Sequence, residues 1–160
     1  MKTFAEIERD FIRARVEPAF DWVRHDRPSP VNPMRRPIRE ATVALVVTAG
    51  AHLAAEQPPF ARRREGDASF RELPGDVELS RLALSHAGYD TARAAADVNV
   101  VFPLDRLREL AARGRIGGVA PRQYSFMGYC LEADLLRDNA REVARRLTAD
   151  QVDLALLVPA

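Results

Sequence analysis

Titratable and nucleophilic side chains gather in three short segments of this 160-residue chain. Residues 49–52 contain a histidine, residues 85–90 contain a serine, a histidine, a tyrosine and an aspartate, and residues 121–128 contain a tyrosine and a serine. Imidazole, hydroxyl and carboxylate groups can transfer protons or orient a small substrate. Each segment follows a predicted strand, and loops at the carboxyl ends of parallel strands meet at one edge of a sheet. We therefore expect a binding site for a small molecule at that edge.

The segment 85–90 holds the two residues that we predict to be catalytic, His86 and Asp90. They are four positions apart, so a helical turn would place them on one face, as an imidazole–carboxylate pair for proton transfer or as metal ligands. A tight turn in which Gly88 adopts a positive φ would use the same residues, with the polar side chains bonded to their own backbone. The spacing leaves these alternatives open, and we expect no metal site.

Six further residues are predicted to contact the substrate because they lie in the same three segments. Hydroxyl and imidazole groups among apolar neighbours are typical of pockets that orient a small ligand. Packing in the core is the alternative for the methionine, and a hydrogen-bonded structural histidine is the alternative for residue 52. The predicted substrate-binding residues are His52, Ser85, Tyr89, Tyr124, Ser125 and Met127.

Cys130 is the only cysteine, which excludes a disulfide or a multi-cysteine zinc site within these residues. It follows the third segment directly, so we keep it as a candidate reactive thiol. A nearby positive group would be needed to lower the pKa of that thiol. The alternative is a small buried apolar side chain. In either case, redox chemistry would require a second sulfur or selenium atom from elsewhere.

The elements that position these segments can be inferred from the apolar pattern. Residues 3–16 have helical periodicity, and residues 28–37 contain four prolines, which favour an extended linker. We therefore divide the chain into an N-terminal helix and proline-rich linker, residues 1–40, and an α/β domain, residues 41–160.

Strands and helices alternate in the second part of the chain. Continuous or short apolar runs predict strands at 41–48, 79–84, 116–120 and 152–158, and residues 98–102 are either extended or lead into a helix. Helical spacing predicts helices at 104–113, ending at Gly114, and at 134–147. This alternation indicates an α/β fold with a mainly parallel sheet and flanking helices, Rossmann-like or flavodoxin-like. The sheet is expected to be incomplete at its C-terminal end.

The overall composition provides little evidence for a charged partner. The chain has 24 basic and 23 acidic residues, so we expect it to bind neither nucleic acid nor a membrane surface. Charges near the N-terminus interrupt any signal-peptide core, and no run approaches 18 apolar residues, which favours the cytoplasm.

The phrases SHAGYD, DVNVVFPLDRLRELAARGRIGGVA and QYSFMGY, followed by a helix and VDLALLVP, resemble the selenoprotein B family of glycine, sarcosine, betaine and D-proline reductases. The resemblance runs from about residue 43 to residue 159. It implies a subunit of an oxidoreductase that uses a selenol or thiol to cleave the carbon–nitrogen bond of a small amino acid or amine. It also implies partner reductase subunits and a thioredoxin-like donor.

Members of that family carry selenocysteine or cysteine just after the final strand, often with a cysteine nearby. The resemblance therefore predicts that residue immediately after Ala160, so that these residues would be truncated at the redox position. The alternative is a nonenzymatic subunit that binds a small molecule or serves as a scaffold and has lost the nucleophile. An incomplete sheet would favour association, including homo-oligomers.

Overall fold

The computed structural model of the chain describes residues 1–23, 26–30, 32–86, 88–131 and 133–160. The chain separates into two compact units, Met1–Asn32 and Pro33–Ala160. The division falls within the stretch whose prolines predict a linker. Ala87, in the predicted catalytic segment, lies outside the described residues.

The first unit is built around helix α1, Phe4–Arg15. Thr3 begins it with a capping box, since its hydroxyl accepts from the Glu6 N–H and the Glu6 carboxylate accepts from the Thr3 N–H. The helix predicted over 3–16 is therefore confirmed to within one residue.

The second unit contains a five-stranded, mainly parallel sheet. Its strands are β1 (Thr42–Val47), β3 (Phe70–Pro74), β5 (Gly118–Val119), β6 (Arg122–Phe126) and β7 (Leu154–Val158). The central strand is β1, and β3 is the antiparallel strand at one edge. Two strands, β5 and then β6, pair with one edge of β1, and β7 pairs with the other edge; all three run parallel to β1.

Helices lie on both faces of β1, whose side chains alternate between two cores. Val43, Leu45 and Val47 belong to the larger core, with residues of α2 and α3, whereas Val46 packs against the smaller core with Val143 of α4. The helices are α2 (Thr91–Ala95), α3 (Leu104–Ala112) and α4 (Ala133–Ala149). This arrangement confirms the predicted α/β class, the strands at 41–48 and 152–158, and both long helices. The finer Rossmann-like or flavodoxin-like assignment stays a prediction.

A small second sheet lies beyond the end of β1. It pairs β2 (Ala51–Leu53) with β4 (Leu82–Leu84) in antiparallel fashion. The strand predicted over 79–84 is therefore only half right, because a 3₁₀ turn occupies Leu79–Arg81 and the strand that follows does not join the main sheet. Another 3₁₀ turn, Val98–Val100, leads into α3, as one of the two alternatives for that segment predicted.

The prediction that residues 121–128 form a loop after a strand is wrong for most of its length. Residues 122–126 form β6, which continues along β1 after an interruption at Ala120 and Pro121. The buried Gln123 side chain fills the gap in the ladder: its Oε1 accepts from the Leu45 N–H at 2.6 Å and its Nε2 donates to the Ala120 carbonyl at 2.6 Å. A side chain thus replaces the backbone where the ladder is broken, and this substitution allows the strand to continue.

None of the helices in the described part of the chain is both long and apolar enough to cross a bilayer.

Candidate active site

The carboxyl ends of β1, β6 and β7 meet at one edge of the sheet because the three strands are parallel. Thr48 follows β1 directly; its N–H donates to the Val158 carbonyl at 3.1 Å, and its Oγ1 accepts from the Ala160 N–H at 3.0 Å. The chain end after β7 is thereby fixed beside the Thr48 hydroxyl. Thr48 lies inside the strand predicted over 41–48 and so was not predicted as a site residue. The strand ends one residue earlier, at Val47.

Gly128, two residues beyond β6, completes this edge. Its φ is +91°, a conformation that favours glycine, and a Cβ there would lie 2.5 Å from the Thr48 carbonyl oxygen and 3.0 Å from His86 Nε2. Only a residue without a side chain lets these groups approach so closely. We call Thr48, His86, Gly128 and Ala160 the strand-end cluster.

His86 is the buried titratable member of the strand-end cluster, with 8% of its surface exposed. Its Nδ1 lies 2.8 Å from the Gly88 N–H and accepts from it, so the neutral ring carries its proton on Nε2. Burial lowers the pKa of the imidazole below its usual 6.5 and favours this neutral form. His86 therefore presents an Nε2–H donor beside Gly128.

Tyr89 positions the His86 ring. The two rings pack with centroids 4.5 Å apart, and the Tyr89 hydroxyl donates to the Ala49 carbonyl at 2.7 Å. Burial raises the pKa of the Tyr89 phenol, so it stays protonated and keeps this bond. A substrate contact by Tyr89 stays a prediction.

Asp90 is placed differently from His86. It is exposed, and its Oδ1 accepts from the N–H groups of Ala92 and Arg93 at 3.1 Å each, which caps α2. Within the described residues no hydrogen bond joins Asp90 to His86. The side chains of His86 and Asp90 bond to nearby backbone, as the tight-turn alternative predicts, but Gly88 is not among the positive-φ glycines of the described residues. A catalytic role for Asp90 stays a prediction.

The other predicted substrate-binding residues are buried and engaged in the fold. Ser125 lies in β6 and its Oγ accepts from the Ala51 N–H at 2.8 Å; His52 lies in β2 with Nδ1 3.2 Å from the Gly50 carbonyl oxygen. Ser85 is buried where its N–H donates to that same carbonyl at 2.9 Å, and Met127 is fully buried. Their roles toward a substrate stay predictions.

Tyr124 alternates with Ser125 along β6 and packs in the smaller core with α4. Its hydroxyl donates to Glu72 Oε2 at 3.4 Å. Burial, helped by the Glu72 carboxylate, raises the pKa of Tyr124 to about 12. The Tyr124 hydroxyl therefore stays protonated and is bonded to Glu72.

Two cavities lie side by side at this edge, and the first of them borders the strand-end cluster through Thr48 and Gly128. The first, of about 220 Å³, is mostly apolar and extends from the end of β1 to α4; we call it the strand-end cavity. The second, of about 230 Å³, is formed mainly by the loop 61–68, and we call it the loop cavity. The strand-end cavity is lined by Thr48, Asp67, Phe126, Gly128, Cys130, Leu136 and Ala140.

Asp67 and Cys130 belong to the walls of both cavities. Although partial burial raises the pKa of the Asp67 carboxyl, hydrogen bonds from the Ser69 hydroxyl and from the N–H groups of Ala61 and Ser69 outweigh it and hold that pKa below its usual 3.8. Asp67 is thus a fixed anion. The sequence reasoning missed it, although an aspartate two residues before a serine is the pattern of a carboxylate bound by its own loop.

Cys130 is half-buried, and its backbone forms an isolated antiparallel β-bridge with that of Gly66 in the loop 61–68. Its place between the cavities is compatible with the predicted reactive thiol, which stays a prediction. Within the described residues no three histidine, cysteine or acidic side chains are grouped as a metal site would require.

The chain is thus an α/β protein with a buried histidine and a small cavity at the carboxyl edge of a mainly parallel sheet, the edge at which such sheets bind ligands. Comparison with known families is more specific. The chain belongs to the glycine/sarcosine/betaine reductase selenoprotein B family, whose model matches residues 17–160. The resemblance drawn from the sequence is therefore confirmed.

Curated relatives agree with this assignment. The chain is 37% identical over 132 residues to the D-proline reductase subunit gamma of Acetoanaerobium sticklandii, covering 81% of this chain and 53% of the relative. It is 30% identical to the glycine reductase complex component B subunit gamma of Symbiobacterium thermophilum, covering 88% and 32%. It is 34% identical to the betaine reductase complex component B subunit beta of Peptoclostridium acidaminophilum, covering 72% and 27%.

The chain thus spans about half the length of the first relative and about a third or less of the other two. No solved structure gives a significant match.

Proposed function

We propose that this chain is part of a reductase subunit that cleaves the carbon–nitrogen bond of a small amino acid or amine with a selenol or thiol. The observation that carries the proposal is the strand-end cluster: in a member of this family, a buried imidazole, a threonine hydroxyl and the end of β7 lie together beside a small cavity. Glycine, sarcosine, betaine and D-proline are the candidate substrates.

We propose further that selenocysteine or cysteine follows Ala160 in the full-length protein. The support is the family resemblance and the position itself, because Ala160 is held beside Thr48 at the edge where ligands of parallel sheets bind. Such a residue would supply the electron pair that bonds to the carbon bearing the amine while the carbon–nitrogen bond breaks and its electrons leave with nitrogen. For a primary amine such as glycine, the net reaction takes R–NH₃⁺ and two thiols to R–H, NH₄⁺ and a disulfide. For D-proline, the same two electrons and two protons open the ring, and the nitrogen stays on the product. In each case the reductant is a dithiol.

The residues of this chain would prepare that position in two ways. The Nε2–H of His86, fixed by the bond from Gly88 to Nδ1, would donate a hydrogen bond to an anionic selenolate or thiolate and keep it ionised at neutral pH. Thr48, which holds the Ala160 N–H, would fix the direction in which the chain continues. His86 is therefore proposed as a hydrogen-bond donor to the nucleophile, which refines the proton-transfer role predicted from the sequence.

Partners and location follow from the same proposal. The relatives' names place those proteins in multi-subunit reductase complexes, so we propose partner reductase subunits for this chain, together with a thioredoxin-like dithiol donor. The cytoplasm is the proposed location, and self-association into a homo-oligomer is compatible with the exposed outer edge of β7.

Mass spectrometry of the native full-length protein, with the nucleotide sequence after codon 160, tests the nucleophile. We expect a UGA codon read as selenocysteine or a cysteine codon, with a further in-frame cysteine three positions later. A native protein with neither selenium nor cysteine at position 161 would contradict the proposed reductase. Retained binding of a small amino acid without turnover would instead support a nonenzymatic binding subunit.

A further inference from the structure

Charged side chains of both signs line the loop cavity. They are Arg63, Glu65 and Asp67, and the apolar Leu135 lines it as well. Of the two acidic residues, Asp67 also lines the strand-end cavity, whose wall contains Thr48 and Gly128. A ligand in the loop cavity that contacts Asp67 therefore lies against the wall that separates it from the strand-end cluster.

The Asp67 carboxylate accepts three hydrogen bonds from its own loop. Its Oδ2 accepts from the Ala61 N–H at 2.8 Å, and its Oδ1 accepts from the Ser69 N–H at 2.8 Å and from the Ser69 hydroxyl at 2.5 Å. These bonds come from the loop itself, and none comes from a side chain with a positive charge. Two carboxylate oxygens accept about four hydrogen bonds in total, so Asp67 retains capacity for one donor.

Arg63 complements it. Its guanidinium is exposed, and within the described residues no carboxylate pairs with it. Arginine presents a planar fork of donors that matches a carboxylate. An arginine and an aspartate on the wall of a cavity of about 230 Å³ are suited to a small molecule that carries both charges.

We propose that the loop 61–69 is the specificity-determining element of this protein, in which Asp67 binds the ammonium group and Arg63 the carboxylate of a small zwitterionic amino acid. The inference rests on the proposed function and adds to it the residues that select the substrate. Because Asp67 is shared by the two cavities, the ammonium end of the ligand, where the carbon–nitrogen bond must break, is the end that faces the strand-end cluster.

The test is a binding titration followed by NMR on the full-length protein, without reductant or turnover. D-proline is the zwitterionic probe, pyrrolidinium carries only the positive charge, cyclopentanecarboxylate only the negative charge, and tetrahydrofuran is a neutral ring of similar size. We expect D-proline to bind about 10-fold or more tightly than any of the other three probes, as one hydrogen-bonded charge contact is worth.

Two variants assign the charges separately. Asp67→Asn should weaken D-proline and pyrrolidinium by about 10-fold and leave tetrahydrofuran unchanged. Arg63 is exposed, so Arg63→Gln should leave the stability of the fold unchanged. We expect it to weaken the binding of D-proline and cyclopentanecarboxylate by about 5-fold. The matched controls Asp138→Asn and Arg141→Gln remove an exposed ion pair on α4 and should change no affinity.

If wild-type protein binds D-proline no better than tetrahydrofuran, or if Arg63→Gln binds D-proline as wild type does, the inference is wrong. If Asp67→Asn also loses tetrahydrofuran, the loop itself has changed, and Arg63→Gln decides. Charge-selective binding without cleavage of the carbon–nitrogen bond would contradict the proposed reductase and leave this inference standing. Cleavage of that bond with no effect of either variant would do the reverse.

Discussion

The two ends of β6 use their polar side chains in different ways. At the amino end, Arg122 donates to both oxygens of Asp150 at 2.7 Å, and Gln123 bonds Leu45 and Ala120, so the fold uses these groups completely. At the carboxyl end, His86 bonds only its own turn through Nδ1, and within the described residues nothing bonds its Nε2. The polar groups at the amino end hold the sheet together, whereas the His86 Nε2, beside Gly128, has no hydrogen-bond partner among the described residues and is the donor that we propose for the nucleophile.

Charge follows the same division. Around the amino end, Glu72 pairs with Arg122 and Arg146, and hydrogen bonds from Arg145 and Arg146 lower the pKa of Glu142 to about 2. The network is charged but balanced. The carboxyl end combines a neutral imidazole with the fixed anion Asp67 beside cavities. This difference is the reason why we place the proposed site at the carboxyl end.

Gln123→Leu should have the largest effect on stability. It leaves the Leu45 N–H and the Ala120 carbonyl buried without partners, which should cost about 2–5 kcal/mol in the free energy of unfolding, measured by urea denaturation. The exposed substitution Arg141→Leu on α4 should stay within about 0.5 kcal/mol. A Gln123→Leu protein as stable as wild type would show that the hydrogen bonds of this side chain are not needed to hold β6 beside β1.

Gly128→Ala should have the next largest effect, and at the site itself. The positive φ and the close approach of Thr48 and His86 leave no room for a Cβ, so we expect a loss of about 1–3 kcal/mol together with displaced His86 resonances in NMR spectra. Gly118→Ala is the matched control, because a Cβ there meets no atom within 4 Å. Equal effects of the two substitutions would remove Gly128 from the account of the site.

The pH dependence that arises from His86 should be the smallest effect. Its folded pKa lies below the usual 6.5, so the folded chain binds this proton less readily than the unfolded chain. The contribution of His86 to stability is therefore fully present above pH 6.5 and is lost as the pH falls through the folded pKa. Unfolding measured from pH 7.5 downward should show this loss in wild type and a smaller one in His86→Gln. An unchanged pH profile in the variant would contradict the buried neutral imidazole.

The sequence predicted the elements whose apolar pattern is strong and local. Strand β1, helices α3 and α4, and strand β7 each bury a continuous or periodic set of side chains, so their positions follow from the sequence alone. Strand β6 was not predicted because its pairing depends on Gln123. The side chain of this residue accepts the hydrogen bond of the Leu45 N–H, 78 residues away in the sequence. Strand β3 was not predicted because its apolar and polar residues alternate weakly and its partner in the described sheet is β6, which was itself not predicted.

Only those site residues that follow a locally predicted strand could be found from the sequence. Strand-end reasoning found His86, because a histidine after a predicted strand is visible in the sequence. It also assigned His52, Tyr124 and Ser125 to ligand loops, whereas the structure places all three in strands. Asp67 lies 19 residues after the end of the predicted first strand, at a position that no local pattern connects to the end of β1, and only the folded chain brings it to the cavities.

The rate at which the native complex cleaves the carbon–nitrogen bond of its substrate, with a dithiol as reductant, is the measurement that tests the role of the strand-end cluster. His86→Leu, which removes the Nε2–H donor, should lower kcat/KM by about 100-fold and shift the acid limb of the pH profile upward, because the nucleophile then ionises less readily. His86→Gln, whose amide can donate from a similar position, should recover part of the loss. Unchanged kcat/KM and an unchanged pH profile in His86→Leu would contradict the account.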